Sequence, residues 1–161
     1  MSDCCHASTP EQDTPGSGKG SATCPECGQP GRAVPVRLLK HQLLAGRHEA
    51  LQPDEAWWFC AGEGCSTVYF SADGRTFSTV DMRVPVTCKS SGPDRPLCYC
   101  FGYSEAMIRA KIAATGATAV PDHIRAAIRA GHCACEIRNP QGSCCLANVM
   151  AAVKAAGNKD V

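Results

Sequence analysis

Apolar residues along this chain come in short groups, and the spacing within the groups changes near residue 90. As far as about Ala22 they are few, and the surrounding Gly, Ser and Pro predict a disordered leader that buries too little surface to fix a fold. Pro35 then opens a helical pattern that carries Leu38, Leu39, Gln42 and Leu43 and runs to Gly46. Beyond Pro53, the runs Trp57-Trp58-Phe59 and Thr67-Val68-Tyr69-Phe70 have strand character. Ala72-Asp73-Gly74 marks a turn, and a further alternating stretch reaches Val86. Together these predict a small sheet with one helix.

The segment KSSGPDRP, Lys89 to Pro96, is polar, Pro-containing and aperiodic, which predicts a linker. After it the apolar period is helical. Ser104 is placed to cap a helix with Met107, Ile108 and Ile112 on one face and Gly116 as its stop. Pro121 suits the first turn of a second helix, with Ile124, Ala127 and Ile128 inward and Gly131 at its end. Residues 133–145 are predicted as a loop turning at Asn139-Pro140-Gln141-Gly142. A third helix follows from about Cys144 to Ala156, with Leu146, Val149, Met150 and Val153 at helical spacing before Gly157. The fold class is therefore α+β. It comprises a leader over 1–22, a small β module with one helix over 23–88, a linker over 89–97 and a small helical module over 98–157.

Modules of roughly seventy residues bury little apolar surface, so covalent or metal cross-links are expected. Thirteen cysteines among 161 residues can supply them. The N-terminus MSDCCHASTP shows no apolar signal-peptide core, and no run approaches the length needed to span a membrane, so a cytoplasmic protein without membrane insertion is expected. There, cysteines in Cys-x-x-Cys and Cys-x-Cys pairs, odd in number, are read as metal ligands and not as a disulfide framework. The formal net charge of +1 gives no electrostatic case for nucleic acid. Two sites of about −2 each, from four thiolates around Zn²⁺ or an oxidised 2Fe-2S core, would bring the loaded protein to about −3.

Cys24-x-x-Cys27 and Cys60-x4-Cys65 each form a short knuckle able to aim two sulfurs at one point. Four thiolates close a tetrahedral shell, so Zn²⁺ there would contribute folding energy and not catalysis. An iron with the same sulfur shell is the alternative, because geometry alone does not separate the two metals. The second module offers Cys98-x-Cys100, Cys133-x-Cys135 and Cys144-Cys145. An extended Cys-x-Cys puts two sulfurs on one side of the chain, enough for one iron of a 2Fe-2S cluster. The second iron would take two of Cys133, Cys135, Cys144 and Cys145, a choice that spacing leaves open. Cys144 and Cys145 fall at an expected helix N-terminus, which favours an anionic cluster. Arg95, Arg109, Arg125 and Arg129 are read mainly as solvated positions, His123 and His132 as surface or neighbouring groups, and Cys88 as a small half-buried apolar residue.

The motifs CPEC at Cys24, WWFCAGEGCSTVYF from Trp57 to Phe70, CYCFG at Cys98 and CEIRNPQGSCC at Cys135 resemble the N-terminal module of CopZ-type copper chaperones. That module joins a zinc ribbon to a 2Fe-2S domain similar to bacterioferritin-associated ferredoxin. The likeness covers about residues 22 to 156. It implies Cys24, Cys27, Cys60 and Cys65 on zinc and Cys98 and Cys100 on the first iron. The family's late motif, Cys then Asn-Pro-x-Gly then Cys-Cys, implies Cys135 and Cys145 on the second, with Cys144 and Cys133 as alternates. Copper-trafficking members carry a further heavy-metal-associated domain with a Met-x-Cys-x-x-Cys site, and none is expected here.

The function expected from these readings is that of an accessory protein for copper or another soft metal, acting in one-electron transfer such as Cu(II) to Cu(I) reduction, or in metal delivery. Its partners would be a soft-metal carrier or pump and an electron donor. Cys4, Cys5 and His6 in the leader could capture a soft ion. The alternative is a redox-sensing or interaction protein with a structural cluster. An enzyme is less favoured, since no Ser-His-Asp set, phosphate loop or HExxH motif is present.

Overall fold

The computed structural model describes residues 22–157, so the leader and its Cys4-Cys5-His6 group lie outside the described residues. Four short strands, β1 (Arg32–Val34), β2 (Trp57–Phe59), β3 (Thr67–Ser71) and β4 (Thr76–Ser78), form an antiparallel sheet in that order. Register pairs Phe59 with Tyr69 and Trp58 with Phe70. Alternation therefore sends Trp57, Phe59 and Tyr69 to one face and Trp58 and Phe70 to the other. The first face meets helix α1 (Val36–Gln42), whose Leu38 and Leu39 are fully buried, and Trp57 stacks on Phe77 at 5.0 Å. Trp58 and Phe70 stack at 6.0 Å on the second face and pack with Cys24, Cys60 and Cys65. Both faces are covered, which is why three consecutive large residues occupy β2 without alternating with polar ones.

Helix α1 stops short of Gly46 because Leu43 turns to extended backbone and bridges to Met82. Its carbonyl there accepts from Arg83 Nε at 2.7 Å, and residues 45–50 continue as a 3-10 helix. The alternating stretch expected to reach Val86 yields only β4. Asp81 Oδ2 accepts from the Ser78 backbone N–H at 2.8 Å, a capping box that turns the chain into a 3-10 turn at Thr79–Asp81.

In the second half, β5 (Pro96–Cys98) and β6 (Tyr103–Ser104) pair antiparallel and lead into α2 (Glu105–Thr115). Ser104 Oγ caps α2 by accepting from Met107 N–H at 3.4 Å, and Gly116, at φ 74°, ends it. Helices α3 (Val120–Arg129) and α5 (Leu146–Gly157) follow, and Leu97, Ile108, Ile124 and Val149 form the centre of their shared core. Two expected inward residues point out instead: Met107 and Met150 are 43% and 41% exposed. Adjacent helix positions lie about 100° apart, and with so few packing elements the buried arc closes on Ile108 and Val149 before reaching them. The expected loop at 133–145 also contains a one-turn helix, α4 (Cys135–Arg138), formed where Arg138 and Asn139 N–H bond the Ala134 and Cys135 carbonyls.

Candidate metal centres

The first knuckle is a tight turn in which Cys24 N–H bonds the Gln29 carbonyl and Gly28, at φ 72°, bonds that of Cys24, each at 2.8 Å. The second leaves the β2 end at Cys60, whose N–H bonds the Val68 carbonyl, and returns at Cys65. All four sulfurs lie within 4.8 Å of one another, with Cys27–Cys60 at 3.5 Å and Cys24–Cys65 and Cys60–Cys65 at 3.9 Å. A tetrahedral zinc with Zn–S near 2.3 Å needs sulfur separations of about 3.8 Å, so the donor set fits that ion without rearrangement. A Cβ at Gly62 would come within 2.9 Å of Cys27 Sγ, so glycine is what lets the sulfurs close around that backbone.

Two groups that sequence reasoning missed support this shell. Glu26, between the first two cysteines, accepts from the backbone N–H and hydroxyl groups of both Ser66 and Thr67, the shortest being 2.7 Å from Thr67 Oγ1. The Thr67 hydroxyl, then Ser66, pull its carboxyl down to about 2. It clasps the two knuckles across forty positions of sequence. Lys89 Nζ donates to the Gly62 carbonyl at 2.7 Å and to Cys60 Sγ at 3.4 Å. The only sequence signal for either was a charged residue beside a cysteine pair or an expected linker. A hydrogen bond from Gln29 brings the Cys27 thiol to about 7, while burial pushes those of Cys60 and Cys65 up. A bound cation would favour the thiolate form.

The second grouping brings together Cys98 at the end of β5, Cys100 in the β5–β6 turn, Cys135 opening α4 and Cys145 just before α5. Cys100 and Cys135 sulfurs are 3.6 Å apart, Cys135 and Cys145 are 3.9 Å apart, and Cys98 is hydrogen-bonded to Cys145. The Cys100–Cys135 contact joins the early motif to the late one, and the Cys135–Cys145 contact lies within the late motif. Among the described residues only the Cys24 set has three or more ligand atoms all within 4.8 Å, so this quartet is more extended than the first shell. The Cys145 thiol brings Cys98 down to about 6, and the same bond together with burial pushes Cys145 up. Burial raises Cys135 to about 12. Ala134 N–H donates to Cys100 Sγ at 3.3 Å.

Other candidates fall outside this grouping. Cys144 is exposed and Cys133 half-buried, and neither makes a sulfur–sulfur contact among the described residues. Cys88 packs half-buried against the first core, where burial raises its thiol. His123 bonds Tyr103 through Nδ1 at 2.9 Å, and His132 is exposed. Arg95 and Arg109 pair with Glu105, and Arg125 with Asp122.

Comparison with known proteins finds likenesses both in the region of the first site and in the fold. Residues 21–83 match the zf_CopZ family, described as a zinc binding domain. The chain is 28% identical over 123 residues to the copper chaperone CopZ of Archaeoglobus fulgidus, a match covering 76% of this chain. It spans 57% of the length of that relative. The fold is similar to the crystal structure of the A. fulgidus CopZ N-terminal domain, with a TM-score of 0.65 and 24% identity over 81% of this chain and 96% of that one. Among the described residues no helix is long and apolar enough to cross a membrane.

Proposed function

We propose that this chain is a zinc- and 2Fe-2S-containing accessory protein for copper or another soft metal, acting in one-electron reduction or delivery of the ion. The observation that carries the reading is the gathering of four thiols, Cys98, Cys100, Cys135 and Cys145, from two separate motifs into a set more extended than the first shell. Likeness to a copper chaperone supplies the soft-metal cargo. When bound, a 2Fe-2S cluster supplies a one-electron couple suited to taking Cu(II) to Cu(I).

The chain's own residues divide the work. Cys24, Cys27, Cys60 and Cys65 form a closed shell whose part is structural. Cys98 and Cys145 lie buried against Ile108 and Val149, which exclude water from that end of the quartet. Cys100 is half-exposed, and its sulfur, held by Ala134 N–H, marks the edge nearest solvent for electron exit. Cys4, Cys5 and His6 offer soft donors for the cargo. The working partners are a cytoplasmic soft-metal carrier or pump and an external one-electron donor.

The test is stopped-flow reoxidation of the dithionite-reduced, desalted protein by Cu(II), with a Cu(I) chelator present. Reoxidation faster than in buffer, with one Cu(I) trapped per chain, is expected. Equal rates with and without copper would overturn the reductase role and favour a redox-sensing one.

A further inference from the structure

Hydrogen bonds that cross between the two halves of the chain converge on the segments carrying the second quartet. Tyr99 stands between Cys98 and Cys100. Its hydroxyl donates to the Pro85 carbonyl at 2.7 Å and accepts from Thr87 N–H at 3.0 Å. Thr87 is buried and donates its own hydroxyl to the Pro96 carbonyl at 2.7 Å, so the strand leading to Cys98 is pinned to the same 3-10 turn, Thr87–Lys89. At the far end of that turn Lys89 reaches Gly62 and the sulfur of Cys60. One turn thus holds the zinc knuckle by one end and the Cys98–Cys100 segment by the other.

The late cysteines are held in a parallel way. Tyr69, buried in β3, donates its hydroxyl to the Pro140 carbonyl at 2.7 Å, and Gln42 Nε2 on α1 donates to the Ile137 carbonyl at 2.6 Å. Both acceptors lie between Cys135 and Cys145. Buried Asn139 fixes that turn by donating to the Ser143 carbonyl at 2.7 Å and accepting from Gln141 N–H at 3.1 Å. Gly142, at φ 63°, brings the turn so near α1 that a Cβ would stand 2.8 Å from Leu38 Cδ2.

The elements that present these cysteines are weak on their own. A hairpin of two very short strands and a helix of one turn are both below the length that is stable in isolation. We infer that the zinc-bearing half is the template that sets the spacing of the second quartet, with Tyr99 and Tyr69 as the positioning residues. The 2Fe-2S reading enters only in what the quartet holds; that the segments are held by the first half stands apart from it.

The test uses the full chain, zinc-loaded and iron-free, with hydrogen exchange followed by mass spectrometry. Tyr99→Phe keeps the ring and removes the hydroxyl bonds. Exchange over 96–104 should rise about tenfold while zinc content and exchange over β2 and β3 stay as in the parent. Tyr69→Phe should do the same for 134–145, and Tyr99→Phe, at a less buried site, keeps the test decisive if Tyr69→Phe does not fold. Unchanged exchange in 96–104 in zinc-loaded Tyr99→Phe would overturn the template. In iron-reconstituted protein, Tyr99→Phe should lose iron to a chelator about tenfold faster and show an altered electron-spin-resonance spectrum of the reduced state. If the parent takes up no iron and sulfide yet the exchange rises as stated, the template stands and the 2Fe-2S reading falls. If the parent carries the cluster and Tyr99→Phe leaves exchange unchanged, the template falls and the 2Fe-2S reading stands.

Discussion

The two sulfur quartets use one residue type in contrasting settings. In the first, each cysteine pair sits in its own tight knuckle, and Glu26 ties the two knuckles together, so the sulfurs stand at tetrahedral separations. In the second, the sulfurs come from a short hairpin, a one-turn helix and a helix start, and the ties that order them lead back into the other half of the chain. A closed, locally braced shell suits an ion that only staples the fold. A drawn-out set on elements held from outside suits a centre whose properties depend on its surroundings.

Predictions that break or sharpen this contrast run from large to small. Cys60→Ser should abolish stoichiometric zinc and the cooperative unfolding of the first half, since structural zinc contributes on the order of 10 kcal/mol; metal analysis and circular dichroism check this. Ile108→Ala should destabilise the second half by about 2 to 5 kcal/mol in denaturant while zinc content is unchanged. Gly62→Ala should crowd Cys27 Sγ, and zinc transfer to a chromogenic chelator should be faster by about tenfold or more. Glu26→Gln should accelerate the same transfer by about tenfold, with the fold retained. Glu105→Gln should cost less than about 1 kcal/mol at pH 7. Hydrogen bonding from Arg109 holds the Glu105 carboxyl below its ordinary range. Its stabilisation is therefore complete above the unfolded pKa and is lost as pH falls through the lowered folded value, so parent and variant should converge in acid.

Features set by neighbours in sequence were legible from the chain. Ser104 caps α2, Gly116 and Gly131 stop helices at positive φ, and Trp57-Trp58-Phe59 is a strand, each because a short-range preference decides it. Each cysteine pair, Cys24 with Cys27 and Cys60 with Cys65, was legible in the same way from its own spacing, and the fold then brings the two pairs together across 33 to 41 positions. What escaped depends on contacts between distant positions. Glu26 meets Ser66 and Thr67, Lys89 meets Cys60, and Gln42 meets Ile137, and no local pattern announces any of them. Met107 and Met150 fit the helical period yet face outward, because periodicity gives the apolar side of a helix and not the width that its neighbours cover. Helix α4 was hidden inside a motif whose cysteines and Asn-Pro turn read as a loop.

Metal and acid-labile sulfide analysis of the anaerobically prepared full chain, beside a Cys98→Ser variant, tests most directly that the quartets hold different centres. One zinc, two irons and two sulfides per chain are expected, with a visible absorption that bleaches on uptake of one electron, and a variant that keeps its zinc but loses the iron and sulfide. Two zinc ions per chain with no sulfide would contradict that division.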